Sequence, residues 1–397
     1  MDIKITPKKL TGTVRVPQSK SHCHRLLIAA RLAGNMDAVD PERPSLDILA
    51  TKKALETLSC EAPHIDCGES GSTLRFMLPV TMALKNHAEF SGRGQLPNRP
   101  LSPLWEQMEE HGCDLVRGEN GLICSADGPL HGGDFFLPGD ISSQYVTGLL
   151  FALPLTEEGG IIHLTSPLQS KNYVDMTLEV LKDFSIDISL DESSFAVEGR
   201  QKYILPEADA TAELIPERDW SAAAFWISAD ALGSNIDCPG LDTDSSQSDK
   251  EIVRLAPMIC GTPGGTSIDA THIPDLVPVL AALMAASPGV HRITGAARLR
   301  IKESDRLAAM KNNLDAVGGD VTETEDGLLI RGSKDLAGGV TRGYGDHRIV
   351  MAMAVAACAC RGPVIIEGAD AVSKSYPGFF EDYRALGGIA DEISIRK

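Results

Sequence analysis

An internal repeat constrains this chain more than any other feature of its sequence. Residues 99–140 align without a gap on residues 305–346, and a looser third copy covers residues 178–219. The positions identical in the first two copies are Gly112 and Gly318, Asp114 and Asp320, Gly121 and Gly327, Gly132–Gly133 and Gly338–Gly339, and Asp140 and Asp346. Each copy predicts an amphipathic helix, two strands joined by a tight turn, and a further helix capped by its aspartate. Such a chain stacks several α/β units.

The segments that follow these aspartates are apolar nearly all the way round. They are SQYVTGLLFALPL, WSAAAFWISADAL and HRIVMAMAVAACAC, whereas strands such as CDLVRGENGLICSA alternate. A helix without a polar face must be buried, and an alternating strand can keep one face in water. The sequence therefore predicts an inside-out α/β fold, with sheets outside and parallel buried helices whose N-termini converge.

Composition limits what the protein can bind and where it works. A chain of 397 residues predicts two domains. The net charge of -18 argues against nucleic acid as a partner. Nine cysteines without a CxxC pair favour reduced thiols in a cytoplasmic protein, and the spacing of His and Cys residues predicts no metal. The longest apolar run, at 349–360, is too short to cross a membrane.

Cations at predicted helix starts point to anionic ligands. In RLRIKESDRLAAM, Lys302 and Arg306 lie at the start of a helix capped by Ser304 or Asp305. Backbone N–H groups and the helix dipole favour an anion at such a place. A charged helix start in plain contact with water is the structural alternative. PQSKSHCHR and GESGSTLR repeat the pattern, which lowers the weight of that alternative.

Three further stretches add candidate residues. Asp275, in HIPDL, precedes an apolar helix and serves either as a helix cap or as a base. Arg99 precedes Pro100, which predicts a helix that begins at this proline. Lys374, in SKSYP, follows a predicted strand and carries no signal by itself.

These motifs together resemble those of the EPSP synthases, which are 3-phosphoshikimate 1-carboxyvinyltransferases. The resemblance covers nearly the whole chain and rests on PQSKSHCHR, GESGSTLR, LPNRP, SSQY, QSKNY, HIPDL, RIKESDR, GDHRIVMA and SKSYP, in this order. It implies a cytosolic shikimate-pathway enzyme that transfers the enolpyruvyl group of phosphoenolpyruvate to the 5-hydroxyl of shikimate 3-phosphate. Phosphate is released, and the family uses no metal or organic cofactor.

The resemblance also implies roles for individual residues. The ligands it implies for shikimate 3-phosphate are Lys20, Ser21, Arg25, Ser142, Ser143, Gln144, Ser170 and Lys302, with Tyr173 beside the ring. Those implied for phosphoenolpyruvate are Gly71, Arg99, Arg306, Arg348 and Lys374, with Lys20 also within reach. Asp275 and Glu303 match the acid/base pair, and Lys20 is an alternative acid.

The family fold implied by the resemblance is a two-domain inside-out α/β barrel in which each domain contains three βαβαββ units. Residues 18–216 would form the N-terminal domain, which binds shikimate 3-phosphate. Residues 1–17 with 217–397 would form the C-terminal domain, which carries the phosphoenolpyruvate and acid/base residues. The spans 45–68 and 241–275 are short, so each predicts a unit without one strand pair.

The chain departs from the family pattern at two positions. Glu69 stands where the family usually has Asn, and Arg298 stands where Asn is common. A Glu69 carboxylate turned toward phosphoenolpyruvate would repel it, so we expect this side chain to face Arg75 or Arg99 instead.

Two rival functions remain open on sequence grounds. The UDP-N-acetylglucosamine enolpyruvyl transferases share the fold and the donor, but their loop carries a reactive Cys that SGRGQLPNRP lacks. A phosphate-binding module without turnover is the other rival, and the presence of Asp275 and Glu303 argues against it. The expected partners are the two small substrates, and neither nucleic acid nor a membrane is expected. The protein is expected to be a monomer.

Overall fold

The computed structural model describes residues 1–206 and 214–394, so part of the predicted third copy, 207–213, lies outside the described residues. The chain divides into two compact units. Unit 1 contains Met1–Ser19 and Glu217–Lys397, and unit 2 contains Lys20–Pro216. Two short segments lie side by side where the chain passes between the units: the amide of Ser19 donates to the carbonyl of Glu217 over 2.7 Å, and the amide of Asp219 donates to the carbonyl of Pro17 over 3.0 Å.

Strands and helices alternate along both units. The strands are β1 Asp2–Thr6, β2 Thr11–Thr13, β3 His64–Asp66, β4 His87–Ser91, β5 Asp114–Arg117, β6 Leu122–Asp127, β7 Gly133–Pro138, β8 Gly159–Ser166, β9 Ile188–Asp191, β10 Ser194–Glu198, β11 Asn235–Asp237, β12 Ser267–Asp269, β13 Gly289–Thr294, β14 Asp320–Glu323, β15 Leu328–Gly332, β16 Gly339–Arg342, β17 Val364–Glu367 and β18 Ile389–Ile393. The α-helices are α1 Lys20–Leu32, α2 Leu46–Thr57, α3 Gly71–Leu84, α4 Leu104–Glu110, α5 Ser143–Ala152, α6 Lys171–Asp183, α7 Trp220–Ala231, α8 Ile252–Gly261, α9 Val277–Ala285, α10 Arg306–Ala316, α11 His347–Ala357 and α12 Phe379–Ala385. Short 3₁₀ helices lie at Met36–Ala38, Leu96–Asn98, Leu153–Leu155, Ser248–Glu251, Pro274–Leu276, Ala297–Ile301 and Ala369–Lys374.

Four segments fold as complete βαβαββ units, each with its own four-stranded sheet. The strand orders are β3-β4-β6-β5 and β7-β8-β10-β9 in unit 2, and β12-β13-β15-β14 and β16-β17-β1-β18 in unit 1. In each sheet the first two strands are parallel and the other pairs are antiparallel. The N-terminal strand β1 completes the last sheet, with Ile3 opposite both Ile366 and Glu392.

Unit 1 and unit 2 each contain one further βαβαββ repeat, which is incomplete within the described residues, as the short spans predicted. Unit 1 keeps β2, α7, β11 and α8, with β2 parallel to β11, and the span 241–275 adds no hairpin after α8. Unit 2 keeps the helices α1 and α2, and the span 45–68 likewise adds no strand pair to them. The helices of both reduced repeats contribute buried apolar residues to the core of their unit.

The apolar helices form the centre of each unit. In unit 2, α3 and α5 run in the same direction, since Ser72 near the start of α3 contacts Gln144 near the start of α5. Farther along, a side chain at Gly148 would overlap the backbone oxygen of Arg75, so this glycine allows the two helices to approach closely. In unit 1, every residue of α9 is apolar and buried, and so is every residue of α11 after His347 and Arg348, while α7 buries most of its residues and exposes Asp230.

The first glycine of the repeat follows a helix in both of the first two copies, whereas the repeated aspartate caps a helix in only one of them. Gly112 and Gly318 both adopt positive φ, +97° and +88°, directly after α4 and α10. Asp346 caps α11, but Asp140 does not cap α5. The Asp140 carboxylate instead accepts a hydrogen bond from the Ser166 hydroxyl over 2.7 Å, and Ser142 caps the helix. The expected aspartate cap is therefore wrong in that copy.

The helix predicted to begin at Pro100 begins later. α4 starts at Leu104, and the carbonyl oxygen of Pro100 accepts hydrogen bonds from Arg75 and from the Tyr145 hydroxyl. Because these contacts hold the backbone at Pro100, the chain turns into the helix only after Pro103.

Candidate active site

The predicted acid/base residues of unit 1 surround one buried guanidinium. Arg306, the first residue of α10, is 2 % exposed. Its NH1 lies 2.8 Å from Asp275 Oδ1, its NH2 lies 2.9 Å from Glu303 Oε2, and its Nε lies 2.8 Å from Asp346 Oδ2. Burial by itself lowers the pKa of Arg306, but the three carboxylates outweigh it and raise that pKa above its usual range. Arg306 stays charged and fixes the positions of all three.

A second arginine holds the other side of Asp275. NH2 of Arg348 lies 3.0 Å from Asp275 Oδ2, and NH1 donates to the backbone carbonyl of the same residue over 3.2 Å. Arg348 is the second residue of α11, whose cap Asp346 also accepts a hydrogen bond from Ser304 over 3.1 Å. The starts of α9, α10 and α11 are thus joined by ion pairs, which brings Asp275, Glu303, Arg306 and Arg348 into one cluster.

Two lysines lie around this cluster. Lys374 ends a 3₁₀ helix after β17, and its ammonium donates to the carbonyl of Gly345 over 2.6 Å, just ahead of α11. Lys302 precedes Glu303 and is half-buried. Burial lowers the pKa of Lys302 to about 7, against the attraction of Asp275 and Glu303. A lysine that titrates near neutrality can gain a proton when an anion binds beside it.

In unit 2, the predicted residues of α1 contact α2, α5 and α6. Lys20 Nζ lies 2.8 Å from Asp47 Oδ2 on α2. Arg25, also 2 % exposed, donates to the Thr177 hydroxyl over 2.8 Å, the Tyr173 carbonyl over 2.8 Å and the Ser21 carbonyl over 2.7 Å, with a longer contact to Thr147. Burial lowers the pKa of Arg25 to about 10. Within the described residues, its hydrogen-bond partners are neutral oxygens, in contrast to those of Arg306.

The start of α3 carries a second group of unit 2 residues. A side chain at Gly71 would overlap the guanidinium groups of both Arg99 and Arg75, so the two cations lie directly over this glycine. Arg75 NH1 donates to Gln144 Oε1 over 2.9 Å, and Gln144 Nε2 donates to the Ser72 hydroxyl over 2.9 Å. A helix N-terminus with two guanidinium groups above it favours an anion.

Buried hydroxyl groups hold the first turn of α3 in place. His24 Nδ1 lies 2.8 Å from Thr51 Oγ1, which lies 2.6 Å from Thr73 Oγ1. The Thr73 hydroxyl in turn lies 2.8 Å from Ser70 Oγ, and Ser70 caps the helix. Because these groups come from α1, α2 and α3, the chain fixes Gly71 relative to Lys20 and Arg25.

The other predicted residues also lie at helix starts. Ser142 caps α5, with Ser143 and Gln144 as its first residues. Ser170 precedes α6, is 2 % exposed and adopts a left-handed conformation with φ 54°. Thr147 on α5 and Tyr173 on α6 both contact Arg25, so the N-terminal ends of α1, α5 and α6 lie level with one another.

The sequence predicted no partner for two cations of these clusters. Asp47 pairs with Lys20, and Asp346 pairs with Arg306. Asp346 had a signal, since GDHR places a cap beside two basic residues. Asp47 had none.

Two searches of the described residues bear on other kinds of site. In 1–206 and 214–394, the His, Cys, Asp and Glu side chains form no group of three or more that could hold a metal ion. Within the same ranges, every helix is too short or too polar to cross a membrane.

Comparison with known proteins identifies the family. The profile of the EPSP synthase (3-phosphoshikimate 1-carboxyvinyltransferase) family matches residues 5–383. The chain belongs to the EPSP synthase family. The 3-phosphoshikimate 1-carboxyvinyltransferase of Clostridium kluyveri is 41% identical, and the alignment covers 100% of this chain and 99% of that relative. The enzyme of the same name from Clostridium perfringens strain 13 is 40% identical, with 98% and 99% covered.

Solved structures show the same fold. The EPSP synthase of Acinetobacter baumannii superposes with a TM-score of 0.76 at 22% identity, covering 98% of this chain and 100% of that one. The enolpyruvyl transferase NikO of Streptomyces tendae gives 0.72 at 16% identity, with 98% of each chain covered. The resemblance to the EPSP synthase family and the two-domain α/β fold class predicted from the sequence are confirmed.

Proposed function

We propose that this chain transfers the enolpyruvyl group of phosphoenolpyruvate to the 5-hydroxyl of shikimate 3-phosphate and releases phosphate. The observation that carries the proposal is the pair of carboxylates, Asp275 and Glu303, on one buried guanidinium in a chain of the EPSP synthase family. The reaction needs one group that removes a hydroxyl proton and another that protonates a carbon, and each such group contributes about 10²–10⁴-fold.

In the first half of the reaction, Asp275 takes the proton of the 5-hydroxyl, and the hydroxyl oxygen bonds to C2 of phosphoenolpyruvate. Glu303 gives a proton to the methylene carbon, which forms the methyl group of a tetrahedral intermediate. In the second half, the bond from C2 to the phosphate oxygen breaks. The proton on Asp275 leaves with phosphate, and Glu303 takes a methyl proton back. Lys20 is the alternative acid for the carbon.

Different cations bind the two substrates in this proposal. Shikimate 3-phosphate would be bound by Lys20, Ser21, Arg25, Ser142, Ser143, Gln144, Ser170 and Lys302. Phosphoenolpyruvate would take Gly71, Arg99, Arg306, Arg348 and Lys374. Fixed guanidinium groups around the reacting carbon would stabilise the charge that develops in the intermediate. The protein would act in the cytoplasm as a monomer, without a cofactor.

The deciding assay measures phosphate release from phosphoenolpyruvate with and without shikimate 3-phosphate, in the presence of a strong chelator. We expect release only when the acceptor is present and no loss on chelation. Release with UDP-N-acetylglucosamine as acceptor would favour the other enolpyruvyl transferases. Binding of both substrates without release would favour the non-catalytic module, and activity restored by a divalent metal would refute the cofactor-free reaction.

A further inference from the structure

A buried carboxyl group in unit 1 has no place in the mechanism above. Asp249 lies in the 3₁₀ helix before α8 and is 2 % exposed. Its Oδ2 accepts a hydrogen bond from the Ser221 hydroxyl on α7. Its Oδ1 is buried and has no hydrogen-bond partner in the part of the chain that the structure describes. An unpaired buried carboxyl oxygen is costly, so its retention needs an explanation.

The surrounding loop holds Asp249 rigidly. The Gln247 side chain accepts a hydrogen bond from the amide of Trp220 over 3.0 Å and donates to the carbonyl of Arg218 over 2.8 Å. The Gln247 backbone amide donates to Ser245 Oγ over 3.0 Å. Asp249 is therefore fixed against the first turn of α7 and cannot turn outward to water.

Two of its charged neighbours belong to the candidate active site. Helix α7, which carries Ser221, packs against the 3₁₀ helix of Asp249, the 3₁₀ helix of Asp275 and α11. Asp275, together with Arg348 on α11 and Asp219 at the cap of α7, acts electrostatically on Asp249. On the α8 side, Arg254 pairs with Glu251 at the exposed surface over 2.8 Å. Burial, followed by the charge of Asp275, raises the pKa of Asp249 to about 7. With this pKa, Asp249 changes charge near neutral pH.

We propose that Asp249 is a positioning residue for Asp275: once ionised, it acts as a fixed like charge that strengthens the hold of Asp275 on the proton of the attacking hydroxyl. The proposal rests on the proposed function, because it assigns Asp275 as the base. Ionised Asp249 disfavours a second negative charge beside it. Asp275 therefore becomes a stronger base, while Arg306 and Arg348 keep it in place.

The first test compares turnover against pH in Asp249→Asn and in the wild type. Asn has the same shape and can still accept the Ser221 hydrogen bond, but it cannot ionise. We expect kcat of the wild type to rise through about pH 7 as Asp249 ionises, and this rise to be absent in Asp249→Asn. The KM values for both substrates should stay within about threefold, since Asp249 is not assigned a substrate contact. Lys302 titrates in the same range in both proteins, so the difference between them isolates Asp249.

A second variant should move the profile in the opposite sense. Ser221→Ala removes the hydrogen bond that favours ionised Asp249, so the rise in kcat should shift upward by about one pH unit. Asp335→Asn is the matched control, because Asp335 is an exposed carboxylate of the same unit that pairs loosely with Arg361 over 3.8 Å. The control should retain the wild-type profile. Equal loss of kcat at every pH in Asp249→Asn, with no change in the Ser221→Ala profile, would make Asp249 purely structural and overturn the proposal.

A third readout does not depend on catalysis. The folded protein keeps Asp249 protonated up to its raised pKa of about 7, whereas the unfolded chain ionises it near its ordinary pKa of 3.8. Unfolding then releases a proton between these values, so stability falls as pH rises through this window, and Asp249→Asn lacks that fall. If the free energies of unfolding of the wild type and Asp249→Asn differ by the same amount at every pH, Asp249 is not the titrating group. If that difference changes with pH as expected but the wild type releases no phosphate, the proposed function is refuted instead.

Discussion

Arg25 in unit 2 and Arg306 in unit 1 are equally buried, each 2 % exposed, yet their surroundings are opposite. Arg25 donates to hydroxyl and carbonyl oxygens, and burial lowers its pKa to about 10. Arg306 is held by three carboxylates, which raise its pKa despite burial. A guanidinium among neutral oxygens keeps an unbalanced positive charge that can attract an anion. A guanidinium among carboxylates attracts an anion less strongly, because its charge is largely balanced, but it also holds those carboxylates where protons must move.

This comparison assigns different duties to the two clusters. In unit 2, Arg25 and the arginines above Gly71 present positive charge at helix starts, which suits recognition of a phosphorylated substrate. In unit 1, Arg306 and Arg348 hold Asp275 from two sides, which suits proton transfer from a fixed position. Variants of the unit 1 carboxylates should therefore change turnover, and variants of the unit 2 arginines should change binding.

The largest effect is expected for Glu303→Gln. Gln can still accept the hydrogen bond from Arg306 but cannot transfer a proton, so kcat should fall by about 10²–10⁴-fold with little change in binding of shikimate 3-phosphate. Steady-state phosphate release measures kcat. The control is Glu323→Gln, since Glu323 also accepts from an arginine, Arg300, over 2.9 Å in the same unit. Similar losses of kcat in both variants would mean that Glu303 acts only as an arginine partner.

The next test compares the stability of Arg306→Gln with that of Arg25→Gln by urea unfolding. Removing Arg306 leaves three carboxylates without their common partner, which should cost about 3–5 kcal/mol. Removing Arg25 leaves neutral oxygens without a donor, which should cost about 1–3 kcal/mol. Equal losses of unfolding free energy would show that the two environments do not differ as described.

The sequence predicted the repeat architecture well because strands, turns and caps are local features. Gly318 ends α10 and Asp305 caps it, with the Asp305 side chain accepting from the amides of Leu307 and Ala308, as the residue order indicates. The shortened units also followed directly from the length of the chain between motifs.

The partners of the charged residues could not be predicted in the same way. Asp47 pairs with Lys20 because α2 packs beside α1, and residue order says nothing about which side chain then lies opposite. The sequence also gives no signal for the burial of Asp249, because that burial depends on contacts with α7. The late start of α4 has the same origin: the carbonyl of Pro100 is held by side chains from α3 and α5.

Lys302 sharpens the comparison, because it is a cation influenced by the carboxylates of Asp275 and Glu303 that is nevertheless proposed to bind shikimate 3-phosphate. Its pKa of about 7 means that it is largely neutral at pH 8 before binding. A phosphate dianion beside it favours the charged form, so binding of shikimate 3-phosphate at pH 8 should take up a proton. Calorimetry in buffers of different ionisation enthalpy measures this uptake. Lys302→Arg should abolish it, and the same uptake in both proteins would place the titrating group elsewhere.

The smallest effect is expected for Glu69→Asn. The Glu69 carboxylate lies against Gly94, where any side chain would overlap it, while Arg75 and Arg99 lie over Gly71. Two like charges about 4 Å apart would repel by roughly 4 kcal/mol at an effective dielectric near 20, so Glu69 should not face phosphoenolpyruvate. The KM for phosphoenolpyruvate should therefore stay similar or rise slightly. A KM lowered tenfold or more would mean that Glu69 faces the substrate.

The central claim is that Arg25 binds shikimate 3-phosphate and that Asp275 transfers a proton. It is tested most directly by calorimetric titration of shikimate 3-phosphate into Arg25→Gln and Asp275→Asn, with kcat measured on the same preparations. Loss of the hydrogen bonds from a charged donor should weaken binding to Arg25→Gln by about tenfold or more. Asp275→Asn should bind within about threefold of the wild type while its kcat falls by about 10²-fold or more. The opposite pattern, with binding lost in Asp275→Asn and retained in Arg25→Gln, would contradict the account.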